Sequence, residues 1–297
     1  MPPQESHYRG RFAPTPSGPL HLGSLLAAVI SYLEARRLSG QWLLRMEDLD
    51  PPREQAGAAD AILRCLEAHG LYWDESVLYQ SQRSEAYEAA LHQLQQKDAL
   101  FWCQCSRKAL KGQMTYPGTC RTFRSPRANS AVRYRVTEQC DAFIDGFQGS
   151  QTANPAQDFG DVILKRRDGF YAYQLAVVVD DAWQGITDVV RGIDLLHASY
   201  WQRALFCQLD LPTPNFHHFP VLIHANGQKL SKQNQAPAVS LQTPERNLRQ
   251  VFELLQLDVA PTRPDQMLAH ATTLWQPDQL KNIQSLPIAL AKMPNRV

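Results

Sequence analysis

Arg11-Phe12-Ala13-Pro14-Thr15-Pro16-Ser17-Gly18-Pro19-Leu20-His21-Leu22-Gly23-Ser24 is a turn punctuated by Pro and Gly. It lies between a short strand-like run, residues 10–13, and a helix in which Leu25, Leu26, Val29, Ile30 and Leu33 recur at near-helical spacing. His21 and Gly23 therefore fall in the first turn of that helix, predicted over 22–39. Unpaired N–H groups and the positive end of the helix dipole suit phosphate there. Gly23 lets a nucleoside lie close to the backbone, and His21 can donate to a phosphate oxygen. Taken alone, the stretch also fits a loop before a core helix with an incidental His.

Outward from this turn, residues 41–46 predict a second strand and complete a β-α-β opening. Glu47-Asp48-Leu49-Asp50 follows directly, and Pro51-Pro52 stops the strand before a helix expected over 53–69. In an open parallel sheet, ligands collect at the carboxyl ends of strands, where both the turn and Glu47 would sit. A further helix is expected over 81–96, with Ser81 as its cap. Residues 103–172 differ in texture: Cys103-Gln104-Cys105, a Pro-Gly turn at 116–120, many arginines and a hairpin signal at 167–170 mark an inserted subdomain. Apolar elements return at 173–181 and 186–192, followed by a helix over 195–209 and a buried strand over 219–223. Beyond 240 the chain reads as polar and mostly helical. The expected organisation is a catalytic domain of 8–102 and 173–240, an insertion of 103–172, and a helical region of 241–297.

With 297 residues, 44% of them hydrophobic, the chain has material for a large α/β domain and smaller pieces. A net charge of +1 provides no general field for nucleic acid, so RNA contacts would come from local patches. The first residues lack a signal-peptide pattern, and no apolar run approaches the roughly 20 residues of a membrane span. A cytoplasmic monomer without membrane contact is expected. Cys65, Cys140 and Cys207 are expected to be small buried side chains.

A second motif, Lys229-Leu230-Ser231-Lys232-Gln233, follows the turn signal Asn226-Gly227. Two lysines and a hydroxyl on a loop can neutralise a triphosphate as charge builds on leaving pyrophosphate. Together the two motifs resemble class I aminoacyl-tRNA synthetases. His21-Leu22-Gly23-Ser24 is similar to their His-Ile-Gly-His signature, and Lys229 to Gln233 to their Lys-Met-Ser-Lys-Ser loop, with Ser24 and Gln233 departing at the last positions. Arg11 to Gly18, Arg45 to Asp50 and Tyr173 to Arg191 resemble the glutamyl branch, and the likeness covers roughly 8–240.

That resemblance implies a Rossmann-like parallel-sheet catalytic domain with ATP, accompanied by Mg2+, on Gly23, Ser24, Lys229, Ser231 and Lys232. It implies catalytic roles for His21 and Lys232, and glutamate on Arg11, Phe12, Ala13, Pro14, Thr15, Glu47, Tyr173 and Arg191. The chemistry agrees: glutamate carries two carboxylates and an ammonium, Arg11 and Arg191 can fork onto a carboxylate, and Glu47 can accept from the ammonium. The likeness to the zinc-binding insertion of bacterial glutamyl enzymes points to Zn2+ on Cys103, Cys105, Tyr116 and Cys120. The plain alternative is three reduced thiols beside a solvated Tyr. Arg121, Arg124, Arg127, Arg133 and Arg135, with Lys165, Arg166 and Arg167, offer a patch for tRNA phosphates, or eight solvated charges.

The full-length branch continues into a helical anticodon-binding region, whereas only residues 241–297 follow here. In this the chain resembles the shortened members of the branch, and the resemblance implies attachment of L-glutamate to queuosine at the wobble position of tRNA(Asp), which is the acceptor expected. Charging the 3′ end of tRNA(Glu), a small-molecule adenylyltransferase and a non-catalytic RNA-binding protein are the alternatives.

Overall fold

The computed structural model describes residues 7–113, 115–137, 139–224, 226–230 and 237–288. Strand β1 (Arg9–Phe12), helix α1 (Leu22–Arg37) and strand β2 (Gln41–Met46) form the opening unit, with β1 and β2 parallel and Arg9 opposite Gln41. From Trp42 to Met46 every residue of β2 is buried, as expected of a strand covered on both faces. Helix α2 (Ala58–Ala68) leads to a short strand β3 (Leu78–Tyr79), parallel to β2, and then to α3 (Ser84–Gln96).

The insertion contributes β4 (Leu100–Cys103), β5 (Ala131–Tyr134), a hairpin of β6 (Asp141–Asp145) and β7 (Gly149–Ala153), the single turn α4 (Pro155–Asp158), and β8 (Val162–Lys165). β4, β5 and β8 form an antiparallel sheet. The chain then returns through α5 (Tyr173–Trp183), β9 (Asp188–Gly192), α6 (Leu196–Gln208) and β10 (Asn215–Phe219). β9 and β10 are parallel, and Thr187 ties the start of β9 to β1 through its N–H on Arg9 O at 3.0 Å. The site turn therefore sits where the chain leaves β1, between the two halves of a parallel arrangement.

β11 (Val221–Ile223), α7 (Pro244–Leu254), α8 (Pro264–Leu274) and β12 (Ser285–Pro287) complete the fold, with β11 and β12 parallel. Leu248, Val251 and Phe252 of α7 and Met267 and Leu268 of α8 share one apolar core with Leu26, Ile30 and Leu33 of α1. Among the described residues, no helix is long and apolar enough to cross a membrane.

Several local expectations change. The helix placed over 53–69 begins at Ala58, because Pro51–Arg53 form a 3-10 turn and Gly57, at φ 76°, precedes the helix. Ser81 caps nothing: it lies in a 3-10 turn and donates through N–H and Oγ to Asp48, at 2.9 and 2.6 Å. The strand over 219–223 is divided at Pro220, which lacks an N–H; Phe219 pairs in β10 with β9, and Val221 starts β11 beside β12. Cys65 is buried as expected, but Cys140 and Cys207 are exposed.

Candidate active site

His21 is the N-cap of α1. Its Nδ1 accepts from Ser24 N–H at 3.2 Å, and Ser24 Oγ lies 3.2 Å from its Nε2. The residue at the fourth motif position thus seats the imidazole at the helix entry. A Cβ on Gly23 would lie 3.1 Å from His21 Cε1, so glycine leaves the ring its place. His21 bridges to Ala238, and Val239 N–H donates to Leu20 O at 3.0 Å, which draws the chain beyond the second motif onto the opening turn. Lys229 bridges to Ile223 and Leu230 N–H donates to Leu222 O at 2.8 Å, and both residues line the same cavity, about 300 Å³, as His21, Gly23 and Ser24. Lys229 Nζ donates to Asp194 Oδ2 at 2.5 Å. Ser231, Lys232 and Gln233 lie outside the described residues.

A second cavity, about 430 Å³, opens on the other side of the turn, and Glu47, Asp50, Arg166 and Tyr173 line it. Thr15 lines both cavities, whereas Phe12 and Pro14 line the first. Glu47 is held at the end of β2 by its N–H on Pro14 O, at 3.0 Å. Burial pushes its carboxyl up to about 7, with Asp181 and Asp180 adding to the rise and Arg45 and Arg11 opposing it.

Behind Glu47 lies a buried charge cluster. Arg45 Nη1 donates to Asp181 and Gln184, each at 2.8 Å, and Arg45 Nη2 is 3.8 Å from Glu47. Arg11 donates through Nε and Nη2 to the two Asp181 oxygens at 2.9 and 3.3 Å, so the fork expected for a substrate carboxylate is taken by Asp181. Burial opposes ionisation of Asp181, but Arg11 and Arg45 outweigh it and hold the carboxyl below its ordinary range. Arg11 and Ala13 are absent from the cavity walls.

Arg191, near the end of β9, is 6% exposed. It donates to Tyr173 OH at 3.0 Å, Gln202 Oε1 at 2.7 Å, Ser199 Oγ at 2.7 Å and His218 Nε2 at 3.0 Å. Tyr173 thus stands between Arg191 and the second cavity. Sequence reasoning missed Asp181, Arg45, Ser199, Gln202 and His218. The Asp180-Asp181 pair inside an apolar helix was the one available signal, because buried carboxylates need cationic partners. Nothing in the sequence singled out His218.

In the insertion, the thiols of Cys103, Cys105 and Cys120 lie within 4.8 Å of one another. Tyr116 OH is 3.4 Å from Cys103 Sγ and 3.7 Å from Cys105 Sγ, and Cys105 and Cys120 sulfurs are 3.6 Å apart. Tetrahedral zinc–sulfur bonds of about 2.3 Å imply sulfur separations of about 3.8 Å, so the four donors fit one ion. The basic patch, by contrast, is largely committed locally. Arg121 pairs with Asp161, Arg135 with Asp98, Lys165 with Glu88, and Arg166 with Asp50 and Asp168, while Arg133 is buried. Arg167 donates to Gln104 O, Arg127 stacks on Phe123, and Arg124 lies 3.7 Å from Asp98.

The family model described as tRNA synthetases class I (E and Q), catalytic domain, matches residues 7–251. A glutamyl-Q tRNA(Asp) synthetase of Pseudomonas entomophila is 45% identical over 290 residues, 96% of this chain and 98% of the relative. Its counterpart in Shewanella oneidensis is 49% identical over 91% of each chain. Among solved structures, a glutamate-tRNA synthetase from Elizabethkingia anophelis superposes with a TM-score of 0.80 at 21% identity, covering 96% of this chain and 68% of that one.

Proposed function

Because the chain belongs to the class I tRNA synthetases of the glutamate and glutamine type, we propose that it activates L-glutamate with ATP and transfers the glutamyl group to queuosine of tRNA(Asp). The observation that carries this reading is the pair of cavities meeting at Thr15: one bears His21, Gly23, Ser24 and Lys229, the other Glu47 and Tyr173. The names of the relatives support the acceptor.

In the first step the glutamate α-carboxylate attacks the α-phosphorus of ATP and pyrophosphate leaves. His21, the start of α1, Lys229 and Lys232 hold the phosphates, with Mg2+ accompanying ATP. Lys229 then exchanges Asp194 for phosphate. Glu47 takes the ammonium, and Arg191 with Tyr173 reads the side-chain carboxylate. Arg11, paired with Asp181, sets the position of the cluster beneath Glu47. In the second step a hydroxyl of the queuosine cyclopentenediol attacks the mixed anhydride and AMP leaves. Positioning and charge neutralisation suffice, and no side chain forms a covalent bond. Zn2+ on Cys103, Cys105, Tyr116 and Cys120 has a structural role, holding the insertion together.

The test is incubation with ATP, labelled glutamate and tRNA(Asp) with or without queuosine, followed by mapping of the label. Label on the queuosine-bearing anticodon stem-loop alone is the expected result. Label on the terminal adenosine of tRNA(Glu), or labelling independent of queuosine, refutes the acceptor. Absence of glutamate-dependent pyrophosphate exchange refutes the activation step.

A further inference from the structure

A buried chain of side chains reaches Arg191 from the inserted hairpin. Arg191 Nε donates to His218 Nε2 at 3.0 Å, and His218 Nδ1 lies 2.5 Å from Asp145 Oδ2. The side chains of His218 and Asp145 are both 0% exposed. A donor facing Nε2 requires a lone pair there, which assigns the ring proton to Nδ1, facing Asp145. Asp145 is itself immobilised: its Oδ1 accepts from the N–H groups of Phe147, Gln148 and His218, at 3.0, 2.9 and 3.0 Å. The approach of β6 to β10 depends on Gly146, where a Cβ would fall 1.9 Å from His217 Nδ1.

Arg11 and Arg191, both buried, differ in one respect. Arg11 is paired directly with the Asp181 carboxylate, which it shares with Arg45. The hydrogen-bond partners of Arg191 are uncharged: His218, Tyr173, Gln202 and Ser199. We propose that Asp145 and His218 are positioning residues for Arg191, fixing its guanidinium toward Tyr173 while leaving its positive charge for a substrate carboxylate. The neutral ring passes on orientation without cancelling charge, since the negative charge of Asp145 is held one imidazole away. Burial, reinforced by Arg191, brings the His218 imidazolium down to about 4 despite Asp145, consistent with a ring that is neutral near neutral pH. The proposal rests on the reading of Arg191 as the glutamate side-chain contact.

The test measures glutamate-dependent pyrophosphate exchange, with separate KM values for glutamate and ATP. His218→Ala is expected to raise the glutamate KM about tenfold or more and to leave the ATP KM unchanged, because a slackened guanidinium misplaces only the amino acid. His218→Gln, which can accept from Arg191 and donate to Asp145, is expected to restore most of the loss. Should His218→Ala not fold, Asp145→Asn serves instead: its amide faces Nδ1, drives the ring proton to Nε2 against Arg191, and raises the glutamate KM likewise. Glutamate KM unchanged in these variants, ATP KM raised in step with it, or no rescue by Gln overturns the proposal. Arg191→Lys separates the premise: if it leaves the glutamate KM unmoved, the reading of Arg191 itself fails and the positioning role falls with it.

Discussion

In its proposed role, Glu47 opposes stability and serves binding. Its carboxyl stands near 7, well above the 4.5 of an unperturbed Glu, because burial outweighs the two arginines beside it. A group whose pKa is raised on folding contributes most below its unfolded value, and that contribution is lost as pH rises through the folded value. Glu47→Gln is therefore expected to match the wild type near pH 4 and to be more stable by roughly 1–3 kcal/mol at pH 8. Equal melting temperatures at pH 8 would contradict this. Binding has the opposite sign, since an ammonium is held by the carboxylate and not by the acid. The glutamate KM of the wild type is expected to fall by about tenfold between pH 6 and 8, a change that Glu47→Gln abolishes along with most activity. Glu47 was legible from its place after β2. Its depressed acidity was not, because that depends on Arg45, Arg11 and Asp181 converging from β2, β1 and α5.

Among the elements, the apolar cluster around the cysteines of the inserted segment is small: its buried core is Phe101, Cys103 and Cys120, with Cys105, Tyr116 and Phe123 packed against them. So small a cluster offers little to order the long connection between β4 and β5, and the proposed metal crosslink would supply what the core lacks. A stoichiometric Zn2+ is expected by atomic absorption. Its removal by a strong chelator, or Cys120→Ser, is expected to open residues 104–130 to protease while α1 and its neighbours stay folded. Metal-free protein with an unchanged digestion pattern would refute this. The same insertion also reaches the catalytic sheet, since Asp145 ends β6 and Gly146 N–H donates to Phe216 O of β10 at 2.9 Å. The change of texture over 103–172 is visible in the sequence, but this return contact is not, because the segment that makes it carries no motif.

Across the whole molecule, the C-terminal helices are part of the core that supports α1 and the turn before it. Trp275 is 3% exposed, and its Nε1 donates to Glu34 of α1 at 2.5 Å, on the helix whose first turn carries His21. Trp275→Ala is expected to cost about 3–5 kcal/mol and lower the melting temperature by on the order of 10 °C. Trp275→Phe, which keeps a ring but leaves Glu34 without its donor, is expected to cost about 1–2 kcal/mol. A melting temperature unmoved by Trp275→Ala would mean that these helices do not brace α1. The sequence by itself determined the opening β-α-β unit, the acidic strand end and the cysteine cluster, because each is written in spacing along a few consecutive residues. Tertiary structure alone decided that Arg11 faces Asp181 while Arg191 keeps uncharged partners, and that Asp145 stands behind His218. Those pairings join β1 to α5 and β6 to β10, and the partner of a buried charge is chosen by packing between distant segments, not by local pattern.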